Sequence, residues 1–84
     1  MRIFENIINH KINTITAREL LKYGKQFQIA ITKDEAEKIT AILRGSHVNI
    51  FNDKERTTII KKIEKIAGAE VAKGLEQLFI NFTK

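Results

Sequence analysis

Apolar residues recur along this chain at intervals of three and four, the repeat of a helix with one buried face. Five such stretches stand out. The first carries Ile3, Phe4, Ile7 and Ile8. The second carries Ala17, Leu20, Leu21, Gly24 and Phe27, and the third Ala36, Ile39, Ile42 and Leu43. Ile59, Ile60, Ile63, Ile66 and Ala67 make the fourth, and Val71, Ala72, Leu75, Leu78, Phe79 and Phe82 the fifth. The spacing predicts helices from Thr16 to about Gln26, Lys33 to Arg44, Asp53 to Ala67 and Ala69 to about Phe82, after an N-terminal helix. Each stripe needs a neighbour to cover it. In the first helix Lys11 falls inside the apolar arc. The helix is therefore expected to fray near His10, or the lysine to lay its stem flat and send its head to water.

Between the stripes lie recognisable starts and stops. Ile15-Thr16-Ala17-Arg18-Glu19 and Ile31-Thr32-Lys33-Asp34-Glu35 repeat one pattern, sixteen residues apart. In each, the Thr hydroxyl can accept from the third helical amide while the Glu reaches back to the Thr amide, a capping box. Ile15 and Leu20 also occupy hydrophobic-staple positions in the first copy. Asn52 caps a third start, preceding Asp53-Lys54-Glu55. Gly45 and Gly68 follow apolar-rich segments and suit the left-handed residue after a helix. Gly24 falls in an apolar stripe and is expected to allow close packing, whereas Gly74 only weakens its helix. Gln28-Ile29-Ala30-Ile31 and His47-Val48-Asn49-Ile50-Phe51 alternate apolar and polar residues. A two-stranded ribbon this short is marginal alone, so both are expected as extended, core-facing loops. The expectation is an all-α fold: a single compact bundle of about five short helices with two short extended connectors, residues 1–84 forming one domain.

Composition narrows the chemistry. The 84 residues hold no cysteine, proline or tryptophan, which excludes disulfides, thiol nucleophiles and cysteine zinc sites. Fifteen isoleucines alternate with Lys and Asn at helical spacing, so their strand propensity carries little weight here. Apolar runs are too short to span a membrane, and polar residues come too early for a signal peptide, so the expected setting is the cytoplasm. Ser46 and His47 are adjacent in an exit loop, where side chains seldom face each other. His10 and His47 have no metal-ligand spacing. Asp34, Glu35, Glu37, Asp53 and Glu55 sit in first helical turns, where the helix dipole accounts for them. No glycine-rich phosphate loop occurs. The expectation is a protein that is not an enzyme, with no cofactor and no metal.

Charge and apolar surface leave two leads. Fifteen basic against ten acidic residues give a net charge of +5. Lys54, Lys61, Lys62 and Lys65 fall opposite the isoleucines of their helix, and Arg18, Lys22 and Lys25 form a second basic face. Such faces can meet phosphates without reading bases. The same lysines would also make an ordinary solvated surface, and no aromatic accompanies them for stacking. The other lead is the last helix, where Ile80 lies off the core arc beside Phe79 and Phe82. These three are the candidate protein interface, for a partner or a second copy, unless the N-terminal helix covers Ile80. Arg56 lies on the apolar side of its helix and is expected in a frayed first turn or paired with a carboxylate or helix C-terminus.

Several runs carry a family resemblance. Ile-Ile-Asn-His-Lys near the start, Ile-Thr-Ala-Arg-Glu-Leu-Leu-Lys-Tyr-Gly-Lys-Gln-Phe, Ala-Glu-Lys-Ile-x-x-Ile-Leu-Arg-Gly and Asn-Ile-Phe-Asn-Asp together resemble the YqfT-like family of small uncharacterised proteins of Bacillus-type bacteria. The resemblance covers essentially the whole chain. It implies a bacterial cytoplasmic setting and a stand-alone small protein, and confers no catalytic or binding residue. More locally, Thr16-x-x-Glu19-Leu20, Gly24, Ile31-Thr32 and Ala36-x-x-Ile39 are similar to the helix–extended-loop–helix pattern of SAP-type domains, many of which bind DNA. That likeness covers about residues 15–45 and rests mostly on capping and core positions. The reading that results is a non-enzymatic protein-interaction module, self-association included, with a sequence-tolerant nucleic-acid binder as the alternative.

Overall fold

Capping chemistry sets the helix starts. Thr16 Oγ1 accepts from the Glu19 amide at 3.1 Å and the Thr16 amide donates to Glu19 Oε1 at 3.0 Å. Thr32 and Glu35 repeat both bonds at the same lengths. Asn52 Oδ1 accepts from the Glu55 amide at 3.0 Å. The computed structural model describes residues 2–84, with side chains from Ile3 onward. Its elements are α1 (Arg2–Asn13), α2 (Ala17–Gln26), α3 (Lys33–Ser46), α4 (Asp53–Ala67) and α5 (Ala69–Phe82), and no strand occurs among the described residues.

Of two helix stops, one follows an expected alternative and the other differs from expectation. α1 does not fray at His10 but continues to Asn13; the Lys11 stem stays beside Ile7, Ile8 and Ile12, as the second alternative expected, while its head pairs with Glu19. Gly45 lies inside α3, and His47 adopts the left-handed conformation that ends it, at φ 47. The helix runs on past Gly45 before Val48 enters the core, which moves the stop two residues on. Gly68, at φ 91, joins α4 to α5 directly.

α3 is the hub, packing against α1, α2 and α4, while α4 and α5 form the closest helix pair. Sixteen buried apolar residues make one cluster, with contributions from every helix and from the connectors. A Cα radius of gyration of 11.6 Å matches the ~12 Å expected for a compact chain of this length. Both connectors send apolar residues to the core, Ile29 and Ile31 lying against the cluster and Val48 and Ile50 buried in it. Turns break the extended run expected of each: Gln28 takes φ 59, and the Asn52 amide donates to the Asn49 carbonyl at 3.1 Å.

Side-chain amides replace the missing strand partners of the second connector. Asn13 Oδ1 accepts from the Val48 amide at 2.8 Å, and its Nδ2 donates to the Val48 carbonyl at 2.9 Å. One turn earlier, Asn9 Oδ1 accepts from the Ile50 amide at 3.0 Å and Nδ2 donates to Asn49 Oδ1 at 2.8 Å. Buried backbone groups need such partners. The four bonds clamp the C-terminal half of α1 to the bundle.

Candidate interaction surfaces

The clamp decides which part of α1 is covered. Ile8 and Ile12 lie on the helix row that faces the core, and Ile15, just past the helix, is buried with them. Ile3 and Ile7 lie on the neighbouring row, which runs on to Lys11 and its partner Glu19. Phe4 prolongs the core row beyond the body of the bundle. The result is an outer face with Ile3 73%, Phe4 69% and Ile7 61% exposed; the next large apolar side chain among the described residues is Phe27. Beside it, Ile7, Ile8, Lys11, Ile12, Tyr23 and Phe82 line a cleft of about 200 Å³. The Tyr23 and Phe82 rings meet edge to face there, with centroids 5.8 Å apart.

This arrangement corrects the interface expected on α5. Phe79 is buried at 1% exposure in the core cluster and is unavailable for contact. Ile80 and Phe82 are half-buried, and Phe82 belongs to the wall of the α1 cleft. The exposed apolar surface therefore lies one helix away. The N-terminal stripe expected to be covered is instead exposed at Ile3, Phe4 and Ile7. The only signal for it in the sequence is that Ile3 and Ile7 lie on a row ending in Lys11, while Ile8 and Ile12 lie on another. Phe27, expected on the apolar side of α2, caps that helix instead and is 45% exposed.

At the inner end of the cleft, the Lys11 ammonium donates to Glu19. That bond, with the Thr16 amide behind it, holds the Glu19 carboxyl at a pKa of about 2, below its ordinary 4.5. The same bond raises Lys11 above its usual value. Glu19 thus serves a cap and an ion pair together and ties α1 to the start of α2.

The basic residues do not form one track. Arg18, Lys22 and Lys25 line a groove on α2 with Ala17, Leu21 and Lys33, the first residue of α3. Lys54 and Lys62 line another, with Gly45, Ser46, Val48, Asn52, Glu55, Thr58 and Ile59. Lys61 and Lys65 are exposed on α4 but line neither. The two grooves sit at opposite ends of the 14-residue α3, ~20 Å apart along its axis. Among the described residues, none of the seven predicted cations is ion-paired. Sequence reasoning missed Lys33 as a fourth cation beside α2, because only the turn at Gln28 folds the two helix ends together.

The remaining polar candidates are occupied locally. Ser46 Oγ donates to the Ile42 carbonyl at 2.7 Å, and His47 is exposed at the end of α3. Arg56 pairs within its own first turn, Nη2 lying 2.6 Å from Asp53 Oδ1, and Nη1 donates to the Ile50 carbonyl at 2.9 Å.

With these surfaces in view, comparison with known proteins places the chain. A family model described as "Protein of unknown function (DUF2624)" matches residues 1–83. The chain belongs to this family. It is 41% identical over 83 residues to the "Uncharacterized protein YqfT" of Bacillus subtilis (strain 168), a match covering 99% of each chain. No solved structure matches it. The YqfT-like resemblance is thereby shown over a span that includes both grooves and the outer face of α1.

Proposed function

We propose that this family member is a non-enzymatic protein-interaction module of the bacterial cytoplasm that self-associates through the outer face of α1. One observation carries the reading: three large apolar side chains, more than half exposed, project beside an apolar cleft. Monomeric proteins seldom leave such a patch bare. A two-fold interface needs a surface complementary to itself, with a projection and a recess side by side. Phe4 is the projection. The recess of about 200 Å³ is large enough for its ring, since a cavity of about 150 Å³ holds a benzene. No described helix is long and apolar enough to cross a membrane.

Light scattering over a range of concentrations tests the reading. Wild type is expected to reach dimer mass, and Phe4→Asp and Ile7→Asp to remain monomers with unchanged helical circular dichroism. A wild-type monomer at every concentration refutes it. A second reading, a sequence-tolerant nucleic-acid binder, is favoured by the seven unpaired cations, Arg18, Lys22, Lys25, Lys54, Lys61, Lys62 and Lys65. Fluorescence polarisation with labelled DNA and RNA at low and physiological salt decides it. Absence of binding at low salt removes that reading.

A further inference from the structure

The groove on α2 combines an aliphatic floor with a cationic rim. Ala17 and Leu21 are one turn apart on the same row and half-buried, so they form the floor. Arg18 and Lys22 stand on the adjacent row, Lys25 continues the floor row, and Lys33 closes the far side from α3. All four cations are exposed, and no carboxylate lines the groove. Three of the nearby acids are engaged elsewhere. Glu19 is held by Lys11 and Thr16, Asp34 lies 3.1 Å from Lys38, and Glu35 is bonded to the Thr32 amide. Glu37, one turn along α3 from Lys33, has no ion pair among the described residues. Four cations thus stand against a single free carboxylate nearby, and the local field in the groove is positive.

We infer that this groove is a docking site for an acidic amphipathic segment of another protein. Two features select that partner over a nucleic acid. The floor is aliphatic, which suits a Leu or Phe side chain, and no aromatic lines the groove for a base to stack on. The second basic groove, which a longer phosphate backbone would need, lies at the other end of α3 and carries Glu55 in its wall. Four cations around an apolar floor instead match a helix with acidic residues flanking an apolar stripe, the usual helix-in-groove mode. Opposite potentials would steer its approach and set its register. The site shares no residue with the α1 cleft, so it stands or falls independently of self-association.

The test uses the intact chain and a fluorescein-labelled amphipathic peptide of about sixteen residues, with Glu flanking a Leu stripe. Two competitors accompany it: a scrambled peptide of the same composition, and a single-stranded DNA of equal charge. The amphipathic peptide is expected to bind most tightly. Lys22→Glu and Lys25→Glu should each weaken it by about tenfold. Lys54→Glu, in the other groove, should leave the affinity within about twofold. All three sites are exposed, and circular dichroism checks that the variants remain folded. Equal binding of the scrambled peptide, tighter binding of the DNA, or an equal loss in Lys54→Glu would each overturn the assignment. So would no peptide binding at low salt.

Discussion

Individual residues here do more than their type suggests, and two glycines make the contrast. A Cβ at Gly74 would lie 2.9 Å from Ile29 Cγ1 and 3.1 Å from Cγ2, so the bare backbone of α5 is where the first connector packs. Gly74 is a close-contact position, not the weak point its sequence context implied. Gly74→Ala is expected to cost ~1–3 kcal/mol through overpacking. A Cβ at Gly45 meets nothing within 4 Å, inside a helix, so Gly45→Ala should gain ~0.5–1 kcal/mol. Urea denaturation of the pair measures both signs in one experiment. Glu19 supplies a pH-dependent term. Its carboxyl titrates at about 2 when folded against 4.5 as the reference, so its contribution is present above pH 4.5. That contribution is lost as pH falls from 4.5 through about 2, below which both states are protonated. Lys11 has the opposite sign: its raised value makes its term present below 10.5 and lost as pH rises through the folded value. Glu19→Gln should flatten the acid limb of stability against pH, and an unchanged slope would deny the pair that role.

At the scale of elements, α1 is two half-helices in one. Asn9 and Asn13, a turn apart, substitute for a strand edge along Val48–Ile50 and anchor the inner half. Asn13→Ala leaves the buried Val48 without its amide partner and is expected to cost ~1–3 kcal/mol. Denaturant midpoints for Asn13→Ala and Asn13→Asp separate the two bonds, because the aspartate keeps the acceptor and loses the donor. None of this was visible in periodicity. Nothing in the sequence marks Asn9 or Asn13 for this role, since a contact spanning 35 residues has no local signature. The capping boxes were legible because every atom involved lies within three residues.

For the whole molecule, net charge and apolar surface act in opposition. A +5 chain that pairs with itself brings like charges together, and salt screens that repulsion. The self-association proposed for α1 should therefore tighten, or hold steady, as salt rises. The acidic-peptide complex of the α2 groove should weaken over the same range. Sedimentation and polarisation titrations across one salt series distinguish the two surfaces. Weakening of both in parallel would mean that charge governs self-association too.

The sequence by itself determined the elements: five helices, the capped starts of α2, α3 and α4, and most of the buried row on α2 to α5, but not the buried row of α1. These follow from contacts one to four residues long, which a linear pattern records. It also determined that two basic faces exist, and that the alternating connectors turn apolar residues inward. Tertiary structure alone decided what those faces meet. It buried Phe79 and exposed Ile3, Phe4 and Ile7. It brought Lys33 beside Arg18, Lys22 and Lys25, and it set Lys54 and Lys62 apart at the far end of α3. Amphipathicity says that a stripe must be covered, but which stripe goes short depends on how many neighbours the bundle supplies. Here α3 supplies the cover for α1 through its inner half, and the outer turns extend past it.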